Sequence, residues 1–507
     1  MTYHKRRAYS RDEAVTLEKN LIRQQGISTS TLIEKASIAL HRCIEQHQLI
    51  QDGDNILCLV GQGHNGADTT ALALLLASSG YQVTISVVIE HPNKIKPHTK
   101  NLLEECVHKG INVVQSNSTF KYHSYSIIID GIFGITFQYS RGLTEYYQSI
   151  IDEINASSAT IISIDTPSGL DADTGMAETA IVANFTLSIW ILKRGLTTHC
   201  AFNYCGTVLI AGESDVNTSS ISGTSILDYC HDMIVSPPRL PCSHKGDYGK
   251  VLVIGGDLGF RGAGLLASQA ASFCGTGWTV WITTDDTPIN CYQHPYIITD
   301  TYHNLLNHLS DHRLRSVVIG PGSNISRLNE LGLLKKLFEY PIAVVVDANG
   351  LCALKSLNPN SFHKQCTIIT TPHPGEAALL LGDTNLNVQM NRFRACRLLK
   401  KQYPWVDHMI LKGAGTIWMN DQSMIIFNFA CPMLAVSGTG DILAGLIAGC
   451  ISRFEKLEFA VAQALLRHAE SAKHVLDTRG PWSTNASELI QSLAECEQQR
   501  WQRNKAG

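Results

Sequence analysis

The sequence predicts an α/β fold with two domains. Short apolar β-rich runs alternate with helical patterns along most of the 507 residues, and this alternation is typical of parallel strands joined by crossover helices. Continuous apolar strands such as Ile127-Ile128-Ile129 suit a sheet that is covered on both faces. The alternation stops near residues 215–240 and then restarts, which divides the chain into two α/β halves.

The first half opens with two predicted helices, Arg11–Gln25 and Thr31–Gln46, each preceded by a Ser or Thr that can cap it. Strands and helices then alternate. The predicted strands are Asn55–Val60, Val83–Ile89, Ser126–Ile129 and Thr160–Ile164, and the helices between them include Thr69–Ser79 and Thr99–Lys109.

The boundary between the halves is indicated by composition. Gly212–Thr224 is rich in Ser, Gly, Asn and Asp, and Pro237, Pro238 and Pro241 follow it. We therefore predict domains at 1–220 and 241–507 with a linker at 221–240. In the second domain we predict strands Lys250–Ile254, Thr279–Thr283, Ser316–Ile319, Ile342–Val346, Thr367–Thr370 and His408–Leu411, and helices Leu265–Phe273, Asp441–Cys450, Phe459–His474 and Ala486–Arg500.

Composition favours a soluble enzyme. The chain is 44% hydrophobic and 17% charged with a net charge of −3, so no strong field favours nucleic acid or an acidic membrane. The apolar runs are too short to span a bilayer. The 15 cysteines form no C-x-x-C pair and no zinc spacing, which favours free thiols in a reducing cytoplasm. We expect no nucleic-acid or membrane partner.

A glycine turn follows the first strand of the N-terminal half. Gly61–Gly66 fits the pattern G-x-G-x-x-G, whose glycines allow close approach to a pyrophosphate, and Glu90 at the end of the next strand could bind a ribose. This reading predicts a nicotinamide dehydrogenase. The alternative is a tight turn between a strand and a helix.

Polar side chains stand at the ends of neighbouring strands. Asp130 and Asp165 each follow an apolar strand, and Asn65 and Asp68 lie in the glycine turn. Because the carboxyl ends of parallel strands line the ligand crevice, we expect these groups to converge. Their oxygen atoms suit a hard cation or a pair of substrate hydroxyls. Each aspartate could instead be a helix cap or a turn former.

These motifs resemble the NAD(P)H-hydrate epimerase domain, which has a Rossmann-like three-layer fold and a bound potassium ion. The matching stretches are Asn65–Asp68, Asp130–Gly134, Ile164–Asp171 and Ile33–Ala36. The resemblance implies that Asp165 is catalytic and that K⁺ is bound by Asn65, Asp130 and Ser168. It also implies substrate contacts from two loops and the strand-end aspartate: His64, Asn65, Gly66, Ala67, Asp68, Gly134, Ile135, Thr136, Phe137, Gln138, Tyr139, Ser140 and Asp165.

The first loop departs from the family pattern Asn-Asn-Gly-Gly-Asp-Gly. His64 replaces an asparagine, and Ala67 and Thr69 replace glycines. An alanine at 67 costs stability if the backbone there needs a positive φ.

The most informative stretch of the second half is Ala435–Asp441, which runs into an apolar helix. Free N–H groups and the helix dipole make the start of such a helix an anion site. Asp441 could then activate a hydroxyl for phosphoryl transfer. The alternative is an ordinary N-cap aspartate.

Further strand ends of the second half carry polar or glycine-rich turns. They include Gly320-Pro321-Gly322, Asp347–Gly350, Thr371–Glu376 and Lys412–Thr416, and no P-loop pattern is present. Lys412 could neutralise nucleotide phosphate. His373 either contacts substrate or is structural, and Pro374 could simply begin a helix.

Together these turns resemble ADP- or ATP-dependent NAD(P)H-hydrate dehydratases, a branch of the ribokinase-like α/β superfamily, over roughly residues 240–490. The resemblance implies that Asp441 is the catalytic base. It implies two sets of contacts: hydrated substrate at Ala263, Gly322, His373 and Asp441, and ADP at Lys412, Gly413, Ala414, Gly415, Thr416 and Gly440. Ser437 stands where the family usually has glycine.

The two halves together resemble the bifunctional enzymes that repair hydrated nicotinamide cofactors. The resemblance implies epimerisation of hydrated NADH and NADPH, followed by dehydration of the S form at the expense of ADP with Mg²⁺. We expect a cytoplasmic homo-oligomer. The alternative is a ribokinase-like small-molecule kinase with a non-catalytic, nucleotide-binding N-terminal domain.

Overall fold

The structure is a computed structural model that describes residues 6–116, 120–285, 287, 289, 291–482 and 484–506. It divides into two compact units, Met1–Ile226 and Leu227–Gly507. The division falls inside the segment predicted as a linker, where the chain forms the strand Thr224–Asp228 and a short 3-10 helix, His231–Met233.

The N-terminal unit is built on a parallel sheet in the strand order β4-β3-β2-β5-β6-β7-β9. The strands of this sheet are β2 (Asn55–Val60), β3 (Gln82–Val87), β4 (Asn112–Gln115), β5 (Ile127–Gly131), β6 (Thr160–Ile164), β7 (Phe185–Ile189) and β9 (Thr207–Ala211). Three short strands lie outside it: β1 (Arg7–Tyr9), β8 (Leu192–Lys193) and β10 (Thr224–Asp228), which begins at the end of this unit. The short strand β1 pairs with β8 in parallel and with β10 antiparallel.

Helices cover the N-terminal sheet: α1 (Arg11–Gln25), α2 (Thr29–Gln46), α3 (His64–Ser78), α4 (Pro97–His108), α5 (Glu145–Asn155) and α6 (Ala201–Tyr204). One apolar cluster packs α1, α2 and α3 against the sheet, and a second packs α5 against β2 and β5. The central strands are therefore buried on both faces, as their continuous apolar sequences predict.

Helix α3 begins at His64, within the glycine turn, rather than at Thr69 as predicted. Ala67 consequently has a helical backbone and is not among the residues with positive φ. The strain expected from an alanine at this position is therefore absent, because a helix accommodates a Cβ without cost.

The C-terminal unit has its own sheet in the order β13-β12-β11-β14-β15-β16-β17-β18-β19. Pairing is parallel from β13 to β17 and antiparallel through β18 and β19. The strands are β11 (Lys250–Ile254), β12 (Trp278–Thr283), β13 (Ile297–Thr301), β14 (Leu314–Ile319), β15 (Ala343–Val346), β16 (Thr367–Thr370), β17 (His408–Leu411), β18 (Thr416–Met419) and β19 (Met424–Asn428).

The C-terminal helices are α7 (Arg261–Phe273), α8 (Leu305–Leu309), α9 (Ile325–Glu330), α10 (Leu333–Phe338), α11 (Asn349–Lys355), α12 (Pro374–Leu381), α13 (Asn385–Met390), α14 (Arg392–Gln402), α15 (Thr439–Arg453), α16 (Leu457–Arg479) and α17 (Ala486–Ala506). The small residues Gly445 and Gly449 let α15 approach α7, since a Cβ at Gly445 would lie 2.2 Å from the Ala267 carbonyl oxygen. Within the described residues, no helix is both long and apolar enough to cross a membrane.

Candidate functional site

The polar residues predicted in the N-terminal unit meet at the carboxyl ends of β2, β5, β6 and β7. Asp130 lies at the centre and is fully buried. Its Oδ1 accepts hydrogen bonds from Ser168 Oγ at 2.5 Å and Ile132 N at 3.2 Å. Its Oδ2 accepts from Ser163 Oγ at 2.8 Å and Ser168 N at 2.9 Å. Burial raises the pKa of Asp130, and these four donors partly offset that effect.

Asn65 joins the ends of two strands to this cluster. Its Nδ2 donates to the carbonyl oxygens of Phe133 at 2.7 Å and Ile164 at 3.1 Å. Its Oδ1 is buried, and no described residue hydrogen-bonds to it. Phe133 N in turn donates to Ser168 Oγ at 2.9 Å. Asn65, Asp130 and Ser168 therefore lie around one loop, and the amide oxygen of Asn65 can accept a ligand.

Asp165 is held in an unusual conformation. Its φ is +67°, in the left-handed region that few non-glycine residues adopt. Its Oδ1 accepts from Ile189 N at 3.1 Å and from the ammonium of Lys193. Lys193 is 2% exposed and also donates to the Ile189 carbonyl oxygen at 2.7 Å. The protein thus places a buried carboxylate–ammonium pair at the site.

Lys193 was not predicted from the sequence. A signal was available, because this lysine ends the apolar run Ile189–Leu192. A charged residue in a buried strand needs a partner, and the partner here is Asp165.

The ion pair of Asp165 and Lys193 also affects the pKa values of two further carboxyls. Burial raises the pKa of Asp68 well above its usual value, and Glu18 and Asp165 add repulsion that Lys193 partly offsets. The pKa of Glu18 on α1 rises to about 7, again through burial and then through Asp165. Asp68 was predicted at the site, whereas Glu18 was not.

The two loops predicted to contact substrate border the same cluster. A Cβ at Gly66 would lie 2.0 Å from the Gly61 carbonyl oxygen, so the turn requires glycine at 66. A Cβ at Gly134 would lie 3.1 Å from Asn65 Cβ, which places the 134–140 loop against Asn65. Tyr139 N donates to Asp171 Oδ2 at 3.0 Å and fixes the far end of that loop.

Ile135 and His64, two of the residues predicted to contact substrate, differ in their exposure. Ile135 is buried in the core cluster, so its side chain is not available to a ligand. His64 is exposed over part of its surface, and partial desolvation of the ring, together with the charges of Lys96 and His98, lowers its pKa. Its Nε2 lies 3.4 Å from Lys96 Nζ.

In the C-terminal unit, Asp441 lies in the first turn of α15, after the N-cap Gly438 with φ +94°. Burial raises the pKa of Asp441 to about 7, and Asp347 and Glu376 add to the rise while Lys412 opposes it. Such a carboxylate is a base of suitable strength at neutral pH.

Lys412, which follows β17, pairs with two carboxylates from other elements, Asp347 after β15 and Glu376 on α12. Its Nζ lies 2.7 Å from Asp347 Oδ1 and 3.7 Å from Glu376 Oε2. Asp347 also accepts from Thr371 Oγ1 at 2.8 Å. Burial lowers the pKa of Lys412, but the attraction of Asp347 and Glu376 outweighs it and the net shift is upward.

Glycines leave room beside this cluster. A Cβ at Gly440 would lie 3.1 Å from Lys412 Nζ and 3.8 Å from Asp347 Oδ2. Ala263 and Gly322, predicted to contact substrate together, are neighbours, because a Cβ at Gly322 would lie 3.1 Å from that of Ala263.

His373 is the N-cap of α12. Its Nδ1 accepts from Gly375 N at 3.0 Å and Glu376 N at 3.3 Å, and Pro374 is at the start of the helix, as the alternative interpretation supposed. The side chain is 56% exposed, so the ring can cap the helix and still be reached by a ligand. Contact with substrate stays a prediction.

Arg392 on α14 supports the predicted nucleotide loop and was not found from the sequence. Its guanidinium donates to the carbonyl oxygens of Leu411 at 3.2 Å, Lys412 at 3.0 Å and Gly415 at 3.2 Å, and also to that of Ala414. Nothing in the local sequence distinguishes it from the other cations of this helix. Only the fold places it beneath residues 411–415.

The fold and these two clusters define a two-domain α/β enzyme, with a Rossmann-like first domain and a ribokinase-like second domain. Family models agree with this division. The model described as YjeF-related protein N-terminus matches residues 29–195, and the model described as NAD(P)H-hydrate dehydratase matches residues 251–495.

Relatives match nearly the whole chain. The bifunctional NAD(P)H-hydrate repair enzyme Nnr of Coxiella burnetii is 30% identical over 485 residues, with 93% of this chain and 95% of the relative covered. That of Vibrio cholerae is 30% identical, with 94% and 95% covered. The chain belongs to the family of bifunctional NAD(P)H-hydrate repair enzymes.

A solved structure resembles the second domain. The ADP/ATP-dependent NAD(P)H-hydrate dehydratase of Bacillus subtilis, co-crystallised with ATP and Mg²⁺, is 26% identical with a TM-score of 0.47. The match covers 54% of this chain and 97% of that one.

Proposed function

We propose that the protein restores hydrated NADH and NADPH to the reduced cofactors. The N-terminal domain interconverts the R and S hydrates, and the C-terminal domain dehydrates the S form with ADP as phosphoryl donor. The kinase alternative is not favoured, because relatives named as repair enzymes match over both domains.

The observation that carries the dehydratase proposal is the position of Asp441. It stands at a glycine-lined helix start, has a pKa of about 7, and lies beside the Lys412–Asp347 pair. Asp441 takes the proton of the ring hydroxyl, whose oxygen then attacks the terminal phosphoryl group of ADP and displaces AMP. Phosphate leaves the ring far more readily than hydroxide, and loss of a ring proton completes the double bond.

The residues around Asp441 take part in the same step. Amides at the start of α15 and the Lys412 ammonium stabilise charge on the transferring phosphoryl group. Gly440 leaves the space that the nucleotide needs beside Lys412. Mg²⁺ bound to the donor phosphates would neutralise part of their charge.

For the epimerase we propose Asp165 as the acid–base residue. Its fixed conformation and its bond to Lys193 hold it in place at the strand ends. The ring carbon bonded to nitrogen loses its hydroxyl as water, and the nitrogen lone pair forms an iminium. Water then adds to the opposite face and gives up a proton, so one acid and one base are required.

The residues present fit a K⁺ ion, which we propose is held by Asn65, Asp130 and Ser168. The buried Asn65 Oδ1 has no hydrogen-bond partner among the described residues, which is the kind of oxygen that a cation satisfies. In this role K⁺ would supply positive charge beside the loop of Phe133, which Asn65 already binds through the Phe133 carbonyl oxygen.

The test of the dehydratase proposal is Asp441→Asn, assayed with S-hydrate, ADP and Mg²⁺. We expect recovery of reduced cofactor to fall at least about 10³-fold, because the base is lost while the shape is kept. Epimer exchange, followed by chiral chromatography, should be unchanged in the same variant. Unchanged dehydration in Asp441→Asn would refute the base assignment, and a stable phosphorylated product in place of free phosphate would support the kinase alternative.

A further inference from the structure

Two large apolar side chains stand exposed in the turn that joins β11 to α7. Leu258 is 71% exposed and Phe260 is 68% exposed. Contact of so much apolar surface with water is unfavourable, and two such side chains side by side on one turn are typical of a surface that a bound molecule covers. The turn is therefore a candidate contact surface.

The base of this turn is held firmly by hydrogen bonds. Asp257, which precedes Leu258, is buried, and its carboxylate accepts from Thr284 N at 2.7 Å and from Asn324 N at 2.7 Å. After the turn, the Arg261 guanidinium donates to Asp285 Oδ1 at 3.1 Å. Because both ends of the turn are fixed in this way, the exposure of its apolar side chains is a property of the fold.

Phe260 borders two of the residues predicted to contact the dehydratase substrate. A Cβ at Gly322 would lie 2.8 Å from Phe260 Cβ and 3.1 Å from Ala263 Cβ. Ala263 N also donates to the Phe260 carbonyl oxygen at 3.1 Å. Glycine at 322 therefore leaves open a corner whose walls are Phe260 and Ala263.

This corner adjoins the start of α15, the helix that carries Asp441. A Cβ at Gly438, the N-cap of α15, would lie 2.6 Å from Leu266 Cδ1. Leu266 lies on α7, one turn after Ala263. The first turns of α7 and α15 are therefore close together, and a substrate that contacts both Ala263 and Asp441 passes beside Phe260.

We propose that Phe260 is a substrate-contacting residue of the dehydratase, whose ring packs against the hydrated nicotinamide ring, and that Leu258 extends this apolar contact. The inference rests on the dehydratase function proposed above. Addition of water to one double bond of the reduced nicotinamide ring leaves two adjacent methylene groups. That part of the ring is apolar, and its burial against a phenyl ring favours binding.

The contact involves the hydrated ring and not the phosphoryl donor, so the two substrates should respond differently to its loss. In Phe260→Ala we expect KM for S-hydrated NADH to rise about tenfold, with KM for ADP and kcat within about twofold of wild type. Leu258→Ala should raise KM for the hydrate about threefold. Phe260→Tyr keeps the ring and should keep both KM values.

The matched control is Phe273→Ala. Phe273 is a partly exposed phenylalanine at the opposite end of α7, a helix of 13 residues that is about 20 Å long. Its removal should leave both KM values unchanged. Urea unfolding of each variant checks the fold, and light scattering checks the molecular mass. Equilibrium dialysis with S-hydrated NADH in the Asp441→Asn background measures binding without turnover, and adding Phe260→Ala there should weaken Kd about tenfold.

Three results would overturn the proposal. The first is a wild-type KM and Kd for the hydrate in Phe260→Ala. The second is an equal rise in both KM values together with a lower urea midpoint, which indicates a structural role. The third is a change in molecular mass with an unchanged KM, which indicates a contact between copies of the chain. Failure of the dehydratase function itself is distinguishable, because the wild-type chain then recovers no reduced cofactor from S-hydrate and ADP.

Discussion

At the scale of single residues, burial controls the protonation of carboxyls in both domains. Asp441 illustrates the effect, because its pKa of about 7 results from burial first and from the repulsion of Asp347 second. The same burial that costs stability gives Asp441 the proton affinity of a base that works at neutral pH.

The pH dependence of dehydration follows from this value. Asp441 must be deprotonated to act as a base, so kcat/KM should rise about tenfold per pH unit below pH 7 and level off above it. In Lys412→Gln the midpoint should move to higher pH, because the Lys412 charge lowers the pKa of Asp441. The measurement is kcat/KM with S-hydrate and saturating ADP from pH 5 to 9. A flat profile across that range would contradict the assignment.

The stability of the C-terminal domain should depend on the ionisation of Asp441. The folded-state pKa of about 7 is above the usual 3.8, so stability falls as pH rises between these values and is lowest above pH 7. The shift corresponds to roughly 4 kcal/mol, which partial exposure reduces. Asp441→Asn should therefore stabilise the fold by about 2 kcal/mol at pH 8 and by much less at pH 4, as measured by urea unfolding. Equal effects at both pH values would count against the raised pKa.

At the scale of elements, both sites are made where strands end and helices begin. Asn65 stands in the first turn of α3 and Asp441 in that of α15. Asp165, Asp347 and Lys412 each follow a strand directly, and Asp130 is the last residue but one of β5 rather than a residue that follows the strand, as was predicted. The backbone between the elements also needs support. In the C-terminal domain Arg392 supplies it by binding four carbonyl groups of residues 411–415.

Removal of the Arg392 guanidinium should affect both folding and nucleotide binding. In Arg392→Met the four carbonyls lose their donors, and we expect a loss of about 2–4 kcal/mol in the free energy of unfolding. We also expect at least a tenfold rise in KM for ADP. Arg394→Met is the matched control, because Arg394 is exposed on the same helix and should change stability by less than about 0.5 kcal/mol. A KM for ADP equal to wild type in Arg392→Met would show that the loop does not need this residue.

The elements predicted with the correct bounds are those with a continuous apolar or a strongly periodic sequence. β2, β6, β11, β16, β17 and α1 begin and end where the sequence indicated. Other strands were missed, such as β4, β7, β9 and the antiparallel pair β18 and β19. Several of these lie at or near a sheet edge, where a strand is only partly buried and its sequence is correspondingly less apolar.

At the scale of the whole molecule, two compact units each carry one candidate site. The product of the first reaction is the substrate of the second. If this product is released into solution, the two activities need not be in the same chain.

Mixing two single variants tests whether the two activities can act from separate chains. Asp165→Asn should lack epimerase activity and Asp441→Asn should lack dehydratase activity, so neither should repair pure R-hydrate. An equimolar mixture should restore recovery of reduced cofactor, measured by its absorbance, with a lag while the S form accumulates. If the mixture stays as slow as either variant, the intermediate is not released or one assignment is wrong.

The sequence by itself determined the fold class, and it predicted the two domains and the loops that carry the proposed sites. These properties depend on local patterns: apolar period, glycine turns and the polar residue that follows each strand. The tertiary structure decided which charges face one another. Lys193 and Glu18 are far from Asp165 in sequence, and only the packing of α1 and β8 brings their charges to bear on it, because interactions of buried charges depend on distance in space and on exclusion of water.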